Sequence, residues 1–262
     1  MDIKLAGRSA VVCGSSQGIG RAIAHELADL GASVTVMARN PERLESVVRE
    51  LNIESGQKHG MIVADFSEPA QVKMAVDQFS GEGKSAEILV NNTGGPPGGQ
   101  AISAKPQEFL AAFESHLVCN HLLTTALTVG MKKNGFGRII NIISTSVKQP
   151  IKGLGVSNTI RGAVANWAKT LAGELGPHGI TVNNVLPGMT RTARLDSIIQ
   201  NRSEKTGKTI DEVTAEMVAE IPSGRIADAA EIAAAVAFLA SPAAGYINGI
   251  NLPVDGGRTG CL

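Results

Sequence analysis

The chain has 262 residues, of which 43% are hydrophobic and 18% charged, and its 24 basic residues balance 24 acidic ones. This length and composition indicate a single globular domain spanning residues 1–262. The zero net charge, with no basic stripe, argues against nucleic acid as a partner, and no apolar run reaches the roughly 18 residues of a membrane span.

The cysteines and the N-terminus indicate a cytoplasmic protein without a metal. Cys13, Cys119 and Cys261 are odd in number and show no C-x-x-C spacing, which argues against a disulfide framework and a zinc site. Residues 1–5 lead directly into an apolar run and a glycine loop, so this start predicts a strand and not a signal peptide. We therefore expect a reducing location.

Short apolar runs alternate with longer amphipathic ones along the chain. The predicted strands are Ser9–Cys13, Ser33–Met37, Gly60–Val63, Ile88–Asn91, Arg138–Ile143, Thr181–Leu186 and Asn251–Val254. The predicted helices are Ile19–Leu30, Pro41–Leu51, Glu68–Phe79, Pro106–Lys133, Ser157–Leu175 and Ala229–Leu239, with Ser67 and Asp228 as N-caps. This alternation predicts an α/β fold: a Rossmann-type, doubly wound parallel sheet of about seven strands with helices on both faces.

A polar segment with a helical pattern, residues 189–222, interrupts the alternation after the sixth strand. Ligands bind at the carboxyl ends of strands in such sheets, so we expect this segment to form a substrate lid. Its cations could meet a carboxylate or a phosphopantetheine group, or they could belong to an exposed helix of mixed charge. They are Arg191, Arg194, Arg202, Lys205 and Lys208.

A glycine loop lies between the first strand and the first helix. Gly14 permits a tight turn, Gly18 allows close approach of a pyrophosphate, and the helix N-terminus offers free N–H groups to phosphates. The alternative is a purely structural turn. The loop residues predicted to contact a dinucleotide are Gly14, Ser16, Gln17, Gly18, Ile19 and Gly20.

Arg39 follows the second strand, about 20 residues beyond the glycines, where an NAD site has an acidic residue for the ribose 2′-hydroxyl. A guanidinium instead suits a 2′-phosphate through paired, charge-assisted hydrogen bonds. The sequence therefore favours NADP(H), with NAD(H) as the alternative. A solvated loop charge at Arg39 is the other explanation.

These motifs resemble the short-chain dehydrogenase/reductase family, most closely its 3-oxoacyl-acyl-carrier-protein reductase branch, over residues 5–258. The glycine loop matches Thr-Gly-x-x-x-Gly-Ile-Gly except at Cys13, residues 91–94 resemble Asn-Asn-Ala-Gly, and residues 254–257 match Val-Asp-Gly-Gly. The resemblance implies further cofactor contacts at Asp65, Phe66, Asn91, Thr93, Gly94, Pro187, Gly188, Thr190 and Thr192. For Asp65, a loop cap is the structural alternative.

The resemblance also implies assembly as a homotetramer, with a dimer as the alternative. The long helices Pro106–Lys133 and Ser157–Leu175 would pair with symmetry mates. The second of them has small residues that suit close packing, at Gly162, Ala165, Ala168 and Ala172.

The family's catalytic Ser, Tyr, Lys and Asn are replaced at three of four positions. The match places the serine at Ser144, the tyrosine position at Ser157, the lysine position at Arg161 and the asparagine position at His116. An alkyl hydroxyl is a far weaker acid than a tyrosine, and an arginine stays protonated, so it stabilises an oxyanion but does not relay a proton.

Two replacements for the proton donor follow from the residue types. His116 titrates near neutrality, and Lys148 or Lys152 lies in the loop after Ser144; alternatively, the histidine packs on its helix and the lysines are solvated. We favour an NADP(H)-dependent oxidoreductase acting on a carbonyl or alcohol of a small-molecule or acyl-thioester substrate. The alternative is a nucleotide-binding sensor or structural subunit without turnover.

Overall fold

The computed structural model describes residues 1–261, and in them seven parallel strands form one sheet in the order β3-β2-β1-β4-β5-β6-β7. The strands are β1 (Ser9–Cys13), β2 (Ser33–Ala38), β3 (Gly60–Val63), β4 (Ile88–Asn91), β5 (Gly137–Ile142), β6 (Ile180–Pro187) and β7 (Asn251–Val254). The predicted doubly wound sheet is confirmed. The strand order reverses between β1 and β4, where such sheets bind ligands.

Helices cover both faces of the sheet. They are α1 (Gly18–Asp29), α2 (Pro41–Glu50), α3 (Pro69–Gly81), α4 (Pro106–Phe113), α5 (Cys119–Asn134), α6 (Gly155–Leu175), α7 (Ala193–Thr206), α8 (Ile210–Ala219) and α9 (Ala229–Ala240). One apolar core packs α1, α2 and α9 against the sheet, and a second packs α3, α5 and α6 against its other face.

In the five inner strands, neighbouring residues supply the two cores in turn. Val12 belongs to the first core, whereas Val11 and Cys13 belong to the second. Successive side chains on a strand point to opposite faces, so a strand covered on both sides must be apolar throughout. This explains the continuous apolar runs of the sequence.

Two predicted helices differ in detail. The helix predicted from Pro106 to Lys133 is divided by a π-helical turn, Glu114–Val118, into α4 and α5. Ser67 is not the N-cap of α3, because Glu68 precedes Pro69, and Ser67 instead donates to the Asp65 carboxylate. The N-cap at Asp228 is confirmed, with Glu231 completing a capping box.

The small-residue face of α6 faces inward. Ala165, Ala168 and Ala172 are buried in the chain's own cores, and only Gly162 is partly accessible. The prediction that this face packs on a symmetry mate is therefore wrong for the three alanines, since the sheet of the same chain already covers them.

Four asparagines form a ladder of side-chain amides across the sheet. The Nδ2 of Asn91 donates to Oδ1 of Asn141 at 2.9 Å, Asn141 donates to Asn184 at 2.9 Å, and Asn184 donates to Asn251 at 2.8 Å. These residues are also direct register partners on β4 to β7. These hydrogen bonds pair side-chain amides inside the sheet and connect β4, β5, β6 and β7 in a single register.

Residues 189–222 form a separate small unit at the carboxyl edge of the sheet. Leu195 and Ile199 of α7 pack against Val213 and Met217 of α8 in an apolar cluster of their own. None of the helices within residues 1–261 has the length and apolar character needed to cross a membrane.

Candidate active site

A cavity of about 1720 Å³ opens at the carboxyl edge of the sheet. Segments that follow β1 to β6 line it, together with parts of α6 and α7. Most of the predicted site residues line it: Gly14, Ser16, Gln17, Gly18, Ile19, Gly20, Arg39, Asp65, Phe66, Thr93, Gly94, Ser144, Ser157, Arg161, Pro187, Gly188, Thr190 and Thr192.

Three positions of the glycine loop require a residue without a side chain. Gly14 and Gly18 have φ values of +59° and +58°, which favour glycine. A Cβ at Gly20 would lie 2.2 Å from the Gly14 carbonyl oxygen, so α1 starts directly against the loop. Asn92 donates to the carbonyls of Cys13 and Gly14 at 3.2 and 3.3 Å and holds the loop from the neighbouring strand.

The N-terminus of α1 is open toward the cavity. Its N-cap, Gln17, forms no side-chain capping bond, and its Oε1 instead accepts from Nη1 of Arg43 at 2.9 Å. The first-turn N–H groups and the positive end of the helix dipole therefore remain for a phosphate group.

Arg39 and Asp65 meet where β2 and β3 end. Nη1 of Arg39 lies 3.8 Å from Oδ2 of Asp65, and the arginine side chain is 78% exposed. Hydrogen bonds from the Ser67 N–H and hydroxyl, and then the charge of Arg39, lower the pKa of Asp65. Asp65 therefore caps the loop, which is the structural alternative given for it in the sequence analysis. It also lines the cavity.

Asn91 is placed differently from the other predicted contacts. It ends β4 but belongs to the amide ladder, and it does not line the cavity. Its Oδ1 has no hydrogen-bond partner among residues 1–261. The other three residues of the motif, Asn92, Thr93 and Gly94, all line the cavity.

The segment after β6 is fixed from two sides. A Cβ at Gly188 would lie 2.6 Å from the Cα of Asp255, so this glycine packs on the C-terminal Asp-Gly-Gly motif. Thr190 is buried and donates to the Gly188 carbonyl at 3.2 Å. Thr192 caps α7 by accepting from the Leu195 N–H, and it lies beside Gly18 of the glycine loop.

Ser144, Ser157 and Arg161 lie together along the inner part of the cavity. The Oγ of Ser144 accepts from the Ser146 N–H at 3.1 Å, which leaves its hydroxyl proton free to donate. Arg161 is buried and donates from Nη1 to the Ile142 carbonyl at 2.9 Å. Burial, and then the charge of Arg194, lower its pKa to about 10, so it remains a cation at neutral pH.

His116 lies in the π-helical turn and is 2% exposed. Burial, and then the charges of Arg161 and Arg194, lower its pKa to about 2. The imidazole is therefore neutral at physiological pH. This contradicts the hypothesis that His116 donates a proton as an imidazolium, although a neutral ring can still hydrogen-bond at this point.

Of the other side chains that could donate a proton, only some lie at the cavity. Tyr246, the single tyrosine of the chain, is fully exposed and does not line the cavity. Lys152 does line it, in the loop before α6, whereas Lys148 does not appear among its lining residues.

Two arginines meet at the loop after β4. Arg194 of α7 donates from Nη1 to the Gly95 carbonyl at 3.1 Å and from Nη2 to the Pro96 carbonyl at 3.0 Å. A Cβ at Gly95 would lie 3.0 Å from Nη2 of Arg194 and 3.6 Å from Nη2 of Arg161. The two guanidinium groups therefore converge on one point of the cavity wall.

The cavity as a whole is cationic. The acidic residues that line it are Asp65 and Glu220. The basic residues that line it are Arg39, Arg43, Lys152, Arg161, Arg194, Arg202, Lys205 and Arg258.

Comparison with known proteins identifies the family. Residues 14–259 match the family model described as enoyl-(acyl carrier protein) reductase. The chain belongs to this family of short-chain dehydrogenases/reductases. The resemblance inferred from the motifs is thus confirmed.

Characterised family members are similar over nearly their whole length. The chain is 34% identical to the 3-oxoacyl-[acyl-carrier-protein] reductase FabG of Haemophilus influenzae, covering 96% of this chain and 98% of the relative. It is 31% identical to the NADPH-dependent reductase BacG of Bacillus subtilis, covering 95% and 97%.

Solved structures of short-chain reductases superpose closely. The L-sorbose reductase of Gluconobacter frateurii, complexed with NADPH and L-sorbose, has a TM-score of 0.93 at 30% identity, with full coverage of both chains. An actinorhodin polyketide ketoreductase with NADPH has a TM-score of 0.89 at 30% identity, covering 97% of each chain.

The residues present in this family member fit a dinucleotide. The cradle at Gly14 and Gly20 has no space for a Cβ, and the open N-terminus of α1 suits a pyrophosphate. Arg39 and Arg43 both border the end of the cavity where an adenosine 2′-phosphate would lie.

Sequence reasoning missed three contributors to the site. Arg43 was visible four residues after Arg39, on the first turn of a predicted helix. Asn92 belongs to the Asn-Asn motif, but the sequence predicted no role for it, because its contact with the glycine loop spans 78 residues. Arg194 was included among the lid cations, but its contact with Gly95, 99 residues away, had no sequence signal.

Proposed function

We propose that the chain is an NADP(H)-dependent oxidoreductase that acts on a carbonyl or alcohol, in a small-molecule or acyl-thioester substrate. The observation that supports this is one cavity that runs from Arg39 past the glycine loop to Ser144 and Arg161. A dinucleotide and a substrate could therefore lie end to end within it. Relatives named as 3-oxoacyl-[acyl-carrier-protein] and NADPH-dependent reductases point the same way.

The cofactor end of the cavity would be set by charge and shape. The glycine loop and α1 hold the pyrophosphate, and Arg39 and Arg43 pair with a 2′-phosphate through charge-assisted hydrogen bonds. Thr192 lies beside Gly18 of the glycine loop, and Thr190 lines the same cavity, so either could contact the carboxamide or a phosphate. When bound, NADPH supplies the hydride.

The substrate end would position a carbonyl and stabilise its negative charge. Ser144, with a free hydroxyl proton, donates to the carbonyl oxygen, and Ser157 lines the same cavity. Arg161 contributes a buried positive charge to this end of the cavity, which favours an anion there. Because His116 is neutral and Tyr246 is remote, the proton would come from water or from Lys152, which lines the cavity, and we expect slow turnover.

The first test is a fluorescence titration with NADPH and, separately, with NADH. We expect tighter binding of NADPH, and we expect Arg39→Ser to weaken NADPH binding about tenfold or more while NADH binding stays unchanged. Arg49→Ser is the matched control, because Arg49 is an exposed arginine of α2 that pairs with Glu45 outside the cavity. Absence of binding by either nucleotide would refute the proposal.

A second function, nucleotide binding without turnover, is favoured by one observation. Tyr246 lies outside the cavity, and burial and two nearby arginines keep His116 neutral by lowering its pKa. A sensor or structural subunit would bind NADPH without consuming it. Mixing the loaded protein with a panel of ketones, aldehydes and acyl thioesters decides between the two, since loss of NADPH absorbance occurs only for an enzyme.

Three further proposals rest on the sequence and the family. Residues 189–222 act as the substrate lid, the protein is cytoplasmic, and it assembles as a homotetramer. Leu110 and Phe113 on α4 and Val129 on α5 are exposed apolar side chains that could pack in a subunit interface. A monomer mass measured by light scattering would contradict the proposed homotetramer.

A further inference from the structure

Arg161 and Arg194 form the most unusual charged cluster of the chain. Arg161 comes from α6 and Arg194 from α7, and their Nη2 atoms face the same side of Gly95. The charge of each arginine acts on His116, and the charge of Arg194 acts on Arg161, which places the three groups in one electrostatic neighbourhood.

No carboxylate of residues 1–261 forms a salt bridge with either arginine. Their hydrogen-bond acceptors are the main-chain carbonyls of Ile142, Gly95 and Pro96. His116 adds no negative charge, since its imidazole is neutral. A buried cation such as Arg161 with a second cation beside it is unfavourable unless an anion accompanies them.

The arginines retain donors for such an anion. A guanidinium has five N–H donors, of which one in Arg161 and two in Arg194 are used within the chain. The planar fork of the remaining donors matches the two oxygens of a carboxylate. Both side chains also line the cavity, so a ligand can reach them.

Three of the other four cations of residues 189–222 contrast with Arg194. Arg202 and Lys208 both pair with Glu216, and Arg191 pairs with Asp228 at 3.5 Å. Arg194 and Lys205 form no salt bridge within residues 1–261. Of these two, Arg194 is the one held beside Arg161, by its hydrogen bonds to the carbonyls of Gly95 and Pro96.

We propose that Arg161 and Arg194 together bind a carboxylate group of the substrate, so that the enzyme acts on oxo acids or hydroxy acids. This deepens the proposed oxidoreductase function and rests on it for the reaction. The carboxylate anchors the substrate between α6 and α7, and Ser144 then meets the carbonyl to be reduced. The anion also neutralises the buried Arg161 and its neighbour Arg194.

The test compares an acid with its neutral ester. Calorimetric titrations with 4-oxopentanoate and with methyl 4-oxopentanoate are run on the cofactor-free and the NADP⁺-loaded protein. We expect the acid to bind about tenfold or more tightly than the ester, and Arg194→Gln to remove this preference. Arg194→Lys should keep part of it. Arg191→Gln is the matched control, since Arg191 lies three residues away, is 72% exposed and lies outside the cavity.

Each outcome separates this inference from the proposed function. Equal binding of acid and ester, or no binding of either, in both forms of the protein overturns the carboxylate site even if NADPH binds and is consumed. An Arg194→Gln variant that loses NADPH affinity as strongly as acid affinity assigns the anion to the cofactor and also overturns it. If the wild-type protein does not bind NADPH, the proposed oxidoreductase function is refuted instead. Arg161→Lys tests the second cation without emptying its buried position.

Discussion

At the scale of single residues, His116 is held neutral by burial and by Arg161 and Arg194, which lower its pKa to about 2. In the unfolded chain its pKa is about 6.5, so between these values the unfolded state binds more protons. The stability contributed by the neutral ring is thus complete above pH 6.5 and falls as the pH falls.

The prediction is a pH-dependent difference in stability between the wild type and His116→Asn. Below pH 6.5 the wild type should lose up to about 1.4 kcal/mol per pH unit through this group, and the variant should lose correspondingly less. Urea unfolding at pH 7.5, 6.0 and 5.0 measures the difference. Parallel curves for both proteins would show that His116 is not held neutral.

Ser157 and Arg161 give a second prediction at this scale. Ser157→Tyr combined with Arg161→Lys restores a phenol of pKa about 10 next to a lysine on one helix face, and general acid catalysis contributes roughly 10²–10⁴-fold. We expect faster NADPH consumption with a ketone in the double variant than in the wild type. Arg161→Lys alone is the control, and an unchanged rate in the double variant would mean that proton supply does not limit turnover.

At the scale of elements, α7 depends on its N-cap. Thr192 accepts a hydrogen bond from the Leu195 N–H, and an Ala there removes a contribution of about 1 kcal/mol. We expect Thr192→Ala to increase hydrogen exchange in α7 more than in α8. Thr209→Ala, which removes the capping box of α8, is the matched control and should give the reverse pattern. Uniform exchange across both helices would show that they open as one unit.

The elements also show what a sequence can predict. The inner strands were predictable because both faces of each are covered, which requires apolar runs such as Ile88–Asn91. The π-helical turn at Glu114–Val118 was not, because it differs from an α-helix in its backbone hydrogen bonds and not in its residue types. The pairing of Arg194 with Gly95 was not predictable either, since it depends on how α7 packs on a distant loop.

At the scale of the whole molecule, the asparagine ladder ties β4, β5, β6 and β7 into one register. Asn141→Leu removes the acceptor of Asn91 and the donor of Asn184 and leaves both buried groups unpaired. We expect a loss of roughly 2–4 kcal/mol in the free energy of unfolding, measured in urea. Asn166→Leu, at an exposed position of α6, is the control and should change little.

The cationic lining of the cavity has a consequence for how fast ligands arrive. The formal charge of the chain is zero, so the excess of basic groups in the cavity is matched by an excess of carboxylates elsewhere. The protein is electrically polarised, and its field draws anions toward the carboxyl edge of the sheet before any contact forms. Capture of a dinucleotide phosphate should therefore slow as ionic strength rises, even where its rate of release does not change.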